Sequence, residues 1–222
     1  MKDVDDGALE LPAANRAERV QEALARRLGS VVVVCERVRR RHNVSAILRT
    51  CEAFGVHEVH LVGDGATRAS AGTARGAERW VRRRRFATTS ESLAELKDRG
   101  YRIVTADLVP GAWSPEDVPV DRPLALVMGS EWEGVSAEAK AACDGAVCIP
   151  MQGLTGSLNV SASAAILVRT LAMRRRAFAG ADLDPAEQAR FFAEWHAHEQ
   201  AAERGFAARN APVQDDDLGG MG

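Results

Sequence analysis

Short aliphatic runs alternate with segments of helical periodicity along most of the chain. The run SVVVVCE, residues 30–36, is rich in β-branched side chains and predicts a buried strand. Residues 13–28 place Val20, Leu24 and Leu28 four positions apart, which predicts an amphipathic helix with an arginine-rich outer face. The same patterns predict further strands at residues 56–63, 101–108, 124–129 and 146–151, and further helices at residues 43–55, 90–99, 136–144, 158–176 and 185–208.

This alternation predicts an α/β fold with a mostly parallel sheet covered by helices on both faces, because several strands are apolar throughout. Asn43 is the expected N-cap of the helix at 43–55, and Gly55 is its expected stop. The helix at 185–208 carries aromatic side chains, so we expect it to pack on another element, with the N-terminal helix as the candidate.

The composition is that of a soluble globular protein, with 46% hydrophobic and 27% charged residues among 222. No apolar run approaches the roughly 18 residues of a membrane span, and the first residues lack the pattern of a signal peptide. We therefore expect a cytoplasmic protein with no membrane partner.

Neither the cysteines nor the histidines are spaced like metal ligands. Cys35, Cys51, Cys143 and Cys148 form no CxxC pair and lie in apolar segments, so buried thiols are expected. The histidine pairs at 57 and 60 and at 196 and 198 are too loosely or peripherally placed for a zinc centre. We predict no metal.

Charge is distributed unevenly along a chain whose net charge is only −2. Residues 16–50 carry nine Arg against three acids, residues 68–85 carry seven Arg against one, and residues 182–222 carry nine acids against three Arg. Arg supplies 26 of the 29 basic residues, and its planar guanidinium binds phosphate and stacks on bases. The two basic blocks favour nucleic acid as a partner over a merely solvated surface.

Three loops that follow predicted strands carry the candidate chemistry, at residues 105–107, 129–134 and 152–159. Ligands of open α/β sheets bind at such strand ends. The chain has no GxGxxG after an early strand, no GxxxxGK[ST] and no GxSxG, which argues against a dinucleotide fold, a P-loop and a nucleophile elbow.

These loops, together with RHNVSAILRTCEAFGV at 41–56, resemble the three sequence motifs of the SPOUT-class RNA ribose methyltransferases of the TrmH family. In the first motif an Asn is followed six residues on by an Arg, as Asn43 is by Arg49. The second is a strand ending in Gly-Asx/Ser-Glu-x-x-Gly, similar to LALVMGSEWEG at 124–134, and the third is similar to IPMQGLTGSLNVSASAA from residue 149. The resemblance covers about residues 13–178, and the three motifs in order are jointly specific.

The resemblance implies an enzyme that transfers a methyl group from S-adenosyl-L-methionine to a ribose 2′-oxygen of RNA. The chain looks most similar to family members that methylate guanosine 18 in the D-loop of tRNA, so tRNA is the expected partner. Two alternatives stay open: another RNA site, such as the tRNA wobble position 34 or a ribosomal RNA loop, and a non-catalytic RNA-binding protein of the same fold.

The resemblance also implies a domain organisation with an N-terminal helical extension at 1–30, a SPOUT domain at 31–178 and a C-terminal helical extension at 179–209. The tail at 210–222 departs from the family, and its acidic, Gly-rich composition predicts disorder. The resemblance further implies a deep C-terminal trefoil knot, which sequence physics alone would not propose. The glycines at 153 and 156 would let the knotted loop bend around the cofactor. Expected cofactor contacts are Ala106, Gly129, Ile149, Met151, Ser157 and Leu158, with Ala106 and Gly129 permitting close approach.

By the same resemblance the catalytic residues are Arg49, Asn43, Glu131, Ser157 and Asn159, with Arg49 near the 2′-hydroxyl at or near the interface of a homodimer. A guanidinium is almost always protonated, so we favour an Arg49 that stabilises the developing alkoxide over one that removes the proton. An Arg on an otherwise apolar helix is also costly to bury without a partner, which favours a functional role. Glu131 is expected to pair with Arg49 or Asn43.

Phosphate contacts are expected from eleven arginines in the basic blocks: Arg16, Arg19, Arg26, Arg27, Arg39, Arg40, Arg41, Arg82, Arg83, Arg84 and Arg85. Trp132, next to Glu131, departs from the family pattern, and we consider it able to stack on a base or fill a dimer interface.

Overall fold

The computed structural model describes residues 13–63 and 79–209, with side chains from residue 16 to residue 201. The predicted acidic tail at 210–222, and parts of the N-terminal extension and the second basic block, lie outside these ranges. The elements in chain order are α1 (Ala13–Ala25), β1 (Leu28–Glu36), α2 (Arg41–Ala53), β2 (Val56–Val62), β3 (Arg82–Phe86), α3 (Thr89–Asp98), β4 (Arg102–Ala106), β5 (Leu124–Met128), α4 (Ala137–Ala142), β6 (Gly145–Val147), α5 (Val160–Ala179) and α6 (Pro185–Arg209).

All strand pairs of the sheet are parallel, in the order β3-β2-β1-β5-β4-β6. The predicted α/β fold with a parallel sheet is therefore confirmed. From β1 the chain first adds β2 and β3 on one side, and then crosses to build β4, β5 and β6 on the other. The crossover places the direction change between β1 and β5, where the loops at the carboxyl ends diverge and leave room for a ligand.

Helices cover both faces of the sheet, which explains why β1 is apolar at nearly every position. On one face, Ile47 and Leu48 of α2 and Leu167 and Leu171 of α5 join the larger hydrophobic core. On the other face, Leu93 of α3 joins a second core that extends to α4. A strand buried on both faces needs apolar side chains in both directions, as the β1 sequence provides.

The two terminal helices pack on each other, which confirms the predicted contact between them. Val20 and Leu24 of α1 form a separate small core with Phe191 and Trp195 of α6. Ahead of α6, the Asp182 carboxylate accepts hydrogen bonds from the backbone N–H of Gly29, at 2.8 Å, and of Ser30, at 3.1 Å. The segment between α5 and α6 is thereby tied to the start of β1.

One strand was missed and two sequence predictions need correction. β3 was not predicted, because four of its five residues are Arg, which carries no strand signal. It lies at the edge of the sheet, where alternate side chains reach solvent. α2 begins at Arg41, so Asn43 lies inside the helix and is not its N-cap. Cys35 and Cys51 are buried as expected, whereas Cys143 and Cys148 are only half-buried.

Within the described ranges, none of the helices combines the length and the apolar character that a membrane span requires.

Candidate active site

A cavity of about 540 Å³ opens at the carboxyl edge of the sheet, beside the direction change in strand order. Its walls come from the ends of β4, β5 and β6 and from the start of α5. Seven predicted site residues line this cavity together with Glu131: Ala106, Gly129, Ile149, Met151, Ser157, Leu158 and Asn159. Loops that are far apart in sequence therefore meet around one space.

The loop after β5 is a closed turn. Ser130 and Gly134 exchange two backbone hydrogen bonds, of 3.0 and 3.1 Å, and the Ser130 hydroxyl accepts one from the N–H of Glu133 at 3.0 Å. A Cβ on Gly129 would lie 2.2 Å from the Gly134 carbonyl carbon. The turn itself therefore requires a glycine at position 129, and this glycine also lines the cavity, where it was expected to permit the close approach of a ligand.

Glu131 joins this turn to the start of α2. Its carboxylate accepts a hydrogen bond of 2.7 Å from the Asn43 side-chain amide and bonds of 3.3 Å from the backbone N–H groups of Arg39 and Arg40. Partial burial alone would raise the pKa of Glu131, but these hydrogen bonds outweigh it and lower that pKa. Glu131 is therefore a carboxylate at neutral pH, and a weak proton acceptor.

The contact also explains how α2 begins without a capping side chain of its own. Arg40 occupies the N-cap position and its side chain makes no capping hydrogen bond. The Glu131 carboxylate brings negative charge to the first turn of α2 instead. Asn43 is 1% exposed, and its Oδ1 finds no partner among the residues described.

The third loop bends at Gly153, Leu154 and Gly156. Neither Gly153 nor Gly156 has a left-handed backbone, and a Cβ on either would meet only open space. Their backbone conformations are therefore open to other residues as well, and the expectation that these glycines let the loop bend around the cofactor stays a prediction. Asn159 ends the loop as the N-cap of α5, since its Oδ1 accepts from the N–H and the hydroxyl of Ser161 at 2.8 and 2.7 Å.

The residues around the cavity lie within the part of the chain that matches a known protein family. The SpoU rRNA methylase family matches residues 30–169, which include every wall of the cavity. The chain belongs to the SpoU methylase family.

Individual relatives of this SpoU family member are similar to it over more of the chain than residues 30–169. The tRNA (guanosine(18)-2′-O)-methyltransferase of Thermus thermophilus is 39% identical over 185 residues, covering 81% of this chain and 95% of the relative. The crystal structure of the Aquifex aeolicus TrmH/SpoU tRNA modifying enzyme superposes with a TM-score of 0.76 at 31% identity, covering 84% of this chain and 97% of that one. The AdoMet-bound rRNA methyltransferase of Sinorhizobium meliloti gives a TM-score of 0.61 at 26% identity, covering 70% and 59%.

Arg49, in the first motif of the SpoU family member, lies outside the cavity. It is exposed on α2 and is absent from the residues that line the cavity of its own chain. The inference from the cost of a buried cation is therefore wrong. Glu131 was expected to pair with Arg49 or Asn43, and the structure shows its hydrogen bond to Asn43.

The eleven predicted phosphate-binding arginines fall into two groups. Arg16, Arg19, Arg26, Arg39, Arg40, Arg41, Arg83 and Arg85 are exposed. By contrast, Arg27 is 4% exposed and donates to the Val56 carbonyl at 3.2 Å and to Glu52 at 3.5 Å, so its burial contradicts a phosphate role. Arg82 and Arg84, on the edge strand β3, form salt bridges with Glu187 and Glu95 respectively, so these carboxylates compete with a phosphate for the two guanidinium groups.

Sequence reasoning missed Glu36, the last residue of β1. It is 1% exposed and accepts hydrogen bonds from the Thr89 hydroxyl at 2.7 Å and from the N–H and hydroxyl of Ser136 at 2.9 and 2.5 Å. Ser136 is the N-cap of α4 and follows the closed turn, so Glu36 anchors the far end of that turn. An acid ending an otherwise apolar strand was the available signal.

A buried polar cluster lies on β2, far along the sheet from the cavity. Glu58 accepts hydrogen bonds of 2.7 Å from His60 and from Arg99. Burial alone would raise the pKa of Glu58, but these two partners lower it to about 2. Although Glu58, His60 and Glu95 lie close enough to share a metal ion, Arg84 and Arg99 already pair with the two carboxylates.

Proposed function

We propose that this chain is an S-adenosyl-L-methionine-dependent tRNA 2′-O-methyltransferase whose target is the ribose of guanosine 18. The observation that carries the proposal is the convergence of the second and third family motifs on one cavity. The chain that holds this cavity is 39% identical to a tRNA (guanosine(18)-2′-O)-methyltransferase over 81% of its own length and 95% of the relative's. Other tRNA or ribosomal sites and a non-catalytic RNA-binding role are the competing functions.

The cavity fits S-adenosyl-L-methionine in size and chemistry. Its volume of about 540 Å³ lies within the roughly 300–1,000 Å³ of small-molecule sites. Ile149, Met151 and Leu158 offer apolar surface, while the Ser157 and Ser163 side chains and loop backbone offer a few polar groups. An AdoMet-bound relative of similar fold supports the assignment.

When bound, S-adenosyl-L-methionine supplies an electrophilic methyl group on a sulfonium. The protein's task is to hold a ribose 2′-oxygen in line with that methyl group and to stabilise the negative charge that grows on the oxygen as its proton leaves. Arg49 has the permanent positive charge for this second task. Glu131 acts through position, because it fixes the start of the helix that carries Arg49.

Arg49 serves the cavity of a second subunit in this proposal, since it does not line the cavity of its own. A homodimer is supported by exposed apolar side chains on α5, where Ile166 is 41% and Met173 is 49% exposed. These two residues lie seven apart and so on one face of the helix. Burial of that face against a second copy would bring the α2 helices close to the interface, since α2 packs on α5.

The finer features of the fold and the RNA surface follow from the same proposal. The segment from the third loop through α5 forms a trefoil knot, as the family resemblance implies, and α1 and α6 act as extensions beside the substrate. The exposed arginines on α1, on the segment before α2 and on β3 hold tRNA phosphates.

The direct test supplies the protein with labelled S-adenosyl-L-methionine and unmodified tRNA transcripts, and maps the product by mass spectrometry. We expect one 2′-O-methyl group per tRNA, at guanosine 18, and no transfer to a transcript whose guanosine 18 carries a 2′-deoxyribose. Methylation at position 34, or of ribosomal RNA only, contradicts the assigned site. Cofactor binding without any transfer contradicts the assigned enzyme activity.

A further inference from the structure

Trp132 is exposed in a way that is unusual for an indole. Its exposed fraction is 79%, although a tryptophan side chain normally buries most of its surface. It stands at the mouth of the main cavity and also lines a second, adjoining cavity of about 200 Å³, formed with Arg39, Arg40, Ser130, Glu131 and Glu133. The indole therefore lies where the predicted cofactor cavity adjoins a smaller pocket that Arg39 and Arg40 also line.

The backbone beneath this indole is held in place. Trp132 is the central residue of the closed turn, whose two ends are joined by the Ser130–Gly134 backbone hydrogen bonds. Glu131 ties the same turn to α2 from one side, and Glu36 anchors Ser136 from the other. A rigid support that presents an aromatic face to solvent loses little entropy when a flat ligand binds.

The charges around Trp132 select the kind of group that can bind. Carboxylates of Glu131 and Glu133 flank it along the chain and repel a phosphate placed on the indole itself. The exposed Arg39 and Arg40 face the same small pocket and attract a phosphate at its rim. The arrangement suits a nucleotide whose base lies on the indole and whose phosphate lies against the arginines.

We propose that Trp132 stacks on the nucleobase of the nucleotide that is methylated, holding its ribose at the mouth of the cofactor cavity. This inference rests on the proposed function and adds to it the residue that holds the target base. Stacking of a base on an aromatic side chain contributes about 1–3 kcal/mol to binding. Because Trp132 also lines the predicted cofactor cavity, the ribose of a base stacked on this indole would lie within the length of one nucleoside of that cavity.

A second copy of this chain is the other group that could cover the indole. The acids beside Trp132 and the arginines behind it make this a polar, charged surface, unlike the apolar face of α5 at Ile166 and Met173. Charge of both signs around a single aromatic favours a nucleotide over a protein interface, whose centre is depleted of charge.

The test measures tRNA binding by Trp132→Ala, Trp132→Phe and the wild-type protein, with Phe178→Ala as the control. Phe178 is also an exposed aromatic, at 62%, but it lines neither cavity. We expect Trp132→Ala to raise the Kd for tRNA by about 5- to 150-fold and Trp132→Phe to recover most of the affinity, whereas Phe178→Ala should bind tRNA as the wild type does.

The decisive arm uses tRNA that lacks the base of the target nucleotide. On this RNA the wild-type protein and Trp132→Ala should bind equally, since the stacking partner is gone. The inference is overturned if Trp132→Ala still binds the abasic tRNA much more weakly than the wild type, if intact tRNA binds both equally, or if Trp132→Ala dissociates into monomers in sedimentation. Transfer by the wild-type enzyme tests the proposed function separately, because it does not depend on any Trp132 variant.

Discussion

Removal of the Glu131 side chain should show how strongly the closed turn and α2 depend on each other. In Glu131→Ala, the amide of Asn43 loses its 2.7 Å partner while remaining buried at 1% exposure. A buried donor without a partner costs about 1–3 kcal/mol. The N–H groups of Arg39 and Arg40 lie in an exposed segment and can turn to water, so they add little. We expect a loss of about 2 kcal/mol in the free energy of unfolding.

A double-mutant cycle isolates the contact between the two side chains. Glu131→Ala, Asn43→Ala and the double variant are unfolded in urea at pH 7.5, and the coupling energy is taken from the four free energies. We expect about 1–2 kcal/mol of coupling, because each single variant strands the partner that the other removes. Additivity within about 0.3 kcal/mol would mean that the Glu131–Asn43 hydrogen bond does not hold the two elements together.

Catalysis by Glu131→Gln distinguishes a positioning role from proton transfer. Glutamine keeps an acceptor oxygen for Asn43 but cannot accept a proton, and the low pKa of Glu131 already makes it a poor base. We expect a reduction in kcat of less than about tenfold with an unchanged pH profile, and restored stability relative to Glu131→Ala. A loss of more than about 100-fold in a stably folded variant would instead identify Glu131 as the base.

Three further variants test other parts of the structure. Gly129→Ala should lower the Tm sharply because its Cβ would overlap the Gly134 backbone, whereas Gly153→Ala should leave the Tm unchanged because its Cβ meets open space; thermal melting compares them. The folded pKa of Glu58 is lowered to about 2, so its stabilisation is complete above its unfolded pKa of 4.5 and is lost as pH falls toward 2. The free-energy gap between wild type and Glu58→Gln, about 3 kcal/mol by linkage, should therefore shrink in urea titrations from pH 5 to pH 2; a constant gap would contradict the assignment. Arg83→Gln should lower the slope of log Kd for tRNA against log salt concentration by about one contact, and an unchanged slope would remove Arg83 from the RNA surface.

Sequence patterns predicted the elements whose signals are local. The Val run of β1 and the spacing in α1 and α5 depend only on neighbouring residues, and the structure contains all three elements. The helix α1 is shorter than predicted, because it ends at Ala25 and Leu28 begins β1. β3 could not be found this way, because it is a strand by virtue of its pairing with β2 and not by its side chains.

Among the site residues, too, some positions could be predicted from the sequence and others could not. The residues expected to contact the cofactor were chosen because a family resemblance names them, and the structure places them around one cavity. The start of α2 was misjudged because its negative charge comes from Glu131, 88 residues from Asn43. The burial of Arg27 depends on Glu52 and Val56, and the exposure of Arg49 depends on which face of α2 meets α5; neither is written in the local sequence.

The central claim is that one active site combines the cavity of one subunit with Arg49 of another. Two inactive variants test it when mixed: Arg49→Ala, which retains the cavity, and Leu158→Arg, which places a cation in the cavity against a sulfonium. A mixed dimer then has one intact site, made of the Arg49→Ala cavity and the Arg49 of the other chain.

Each variant alone should be inactive, and Arg49→Ala should still bind S-adenosyl-L-methionine with wild-type affinity. Subunits exchanged at equal concentrations should recover about one quarter of the wild-type methyl transfer, because half of the dimers are mixed and each has one working site. A mixture that is no more active than its two components would contradict a shared active site and assign Arg49 to its own subunit.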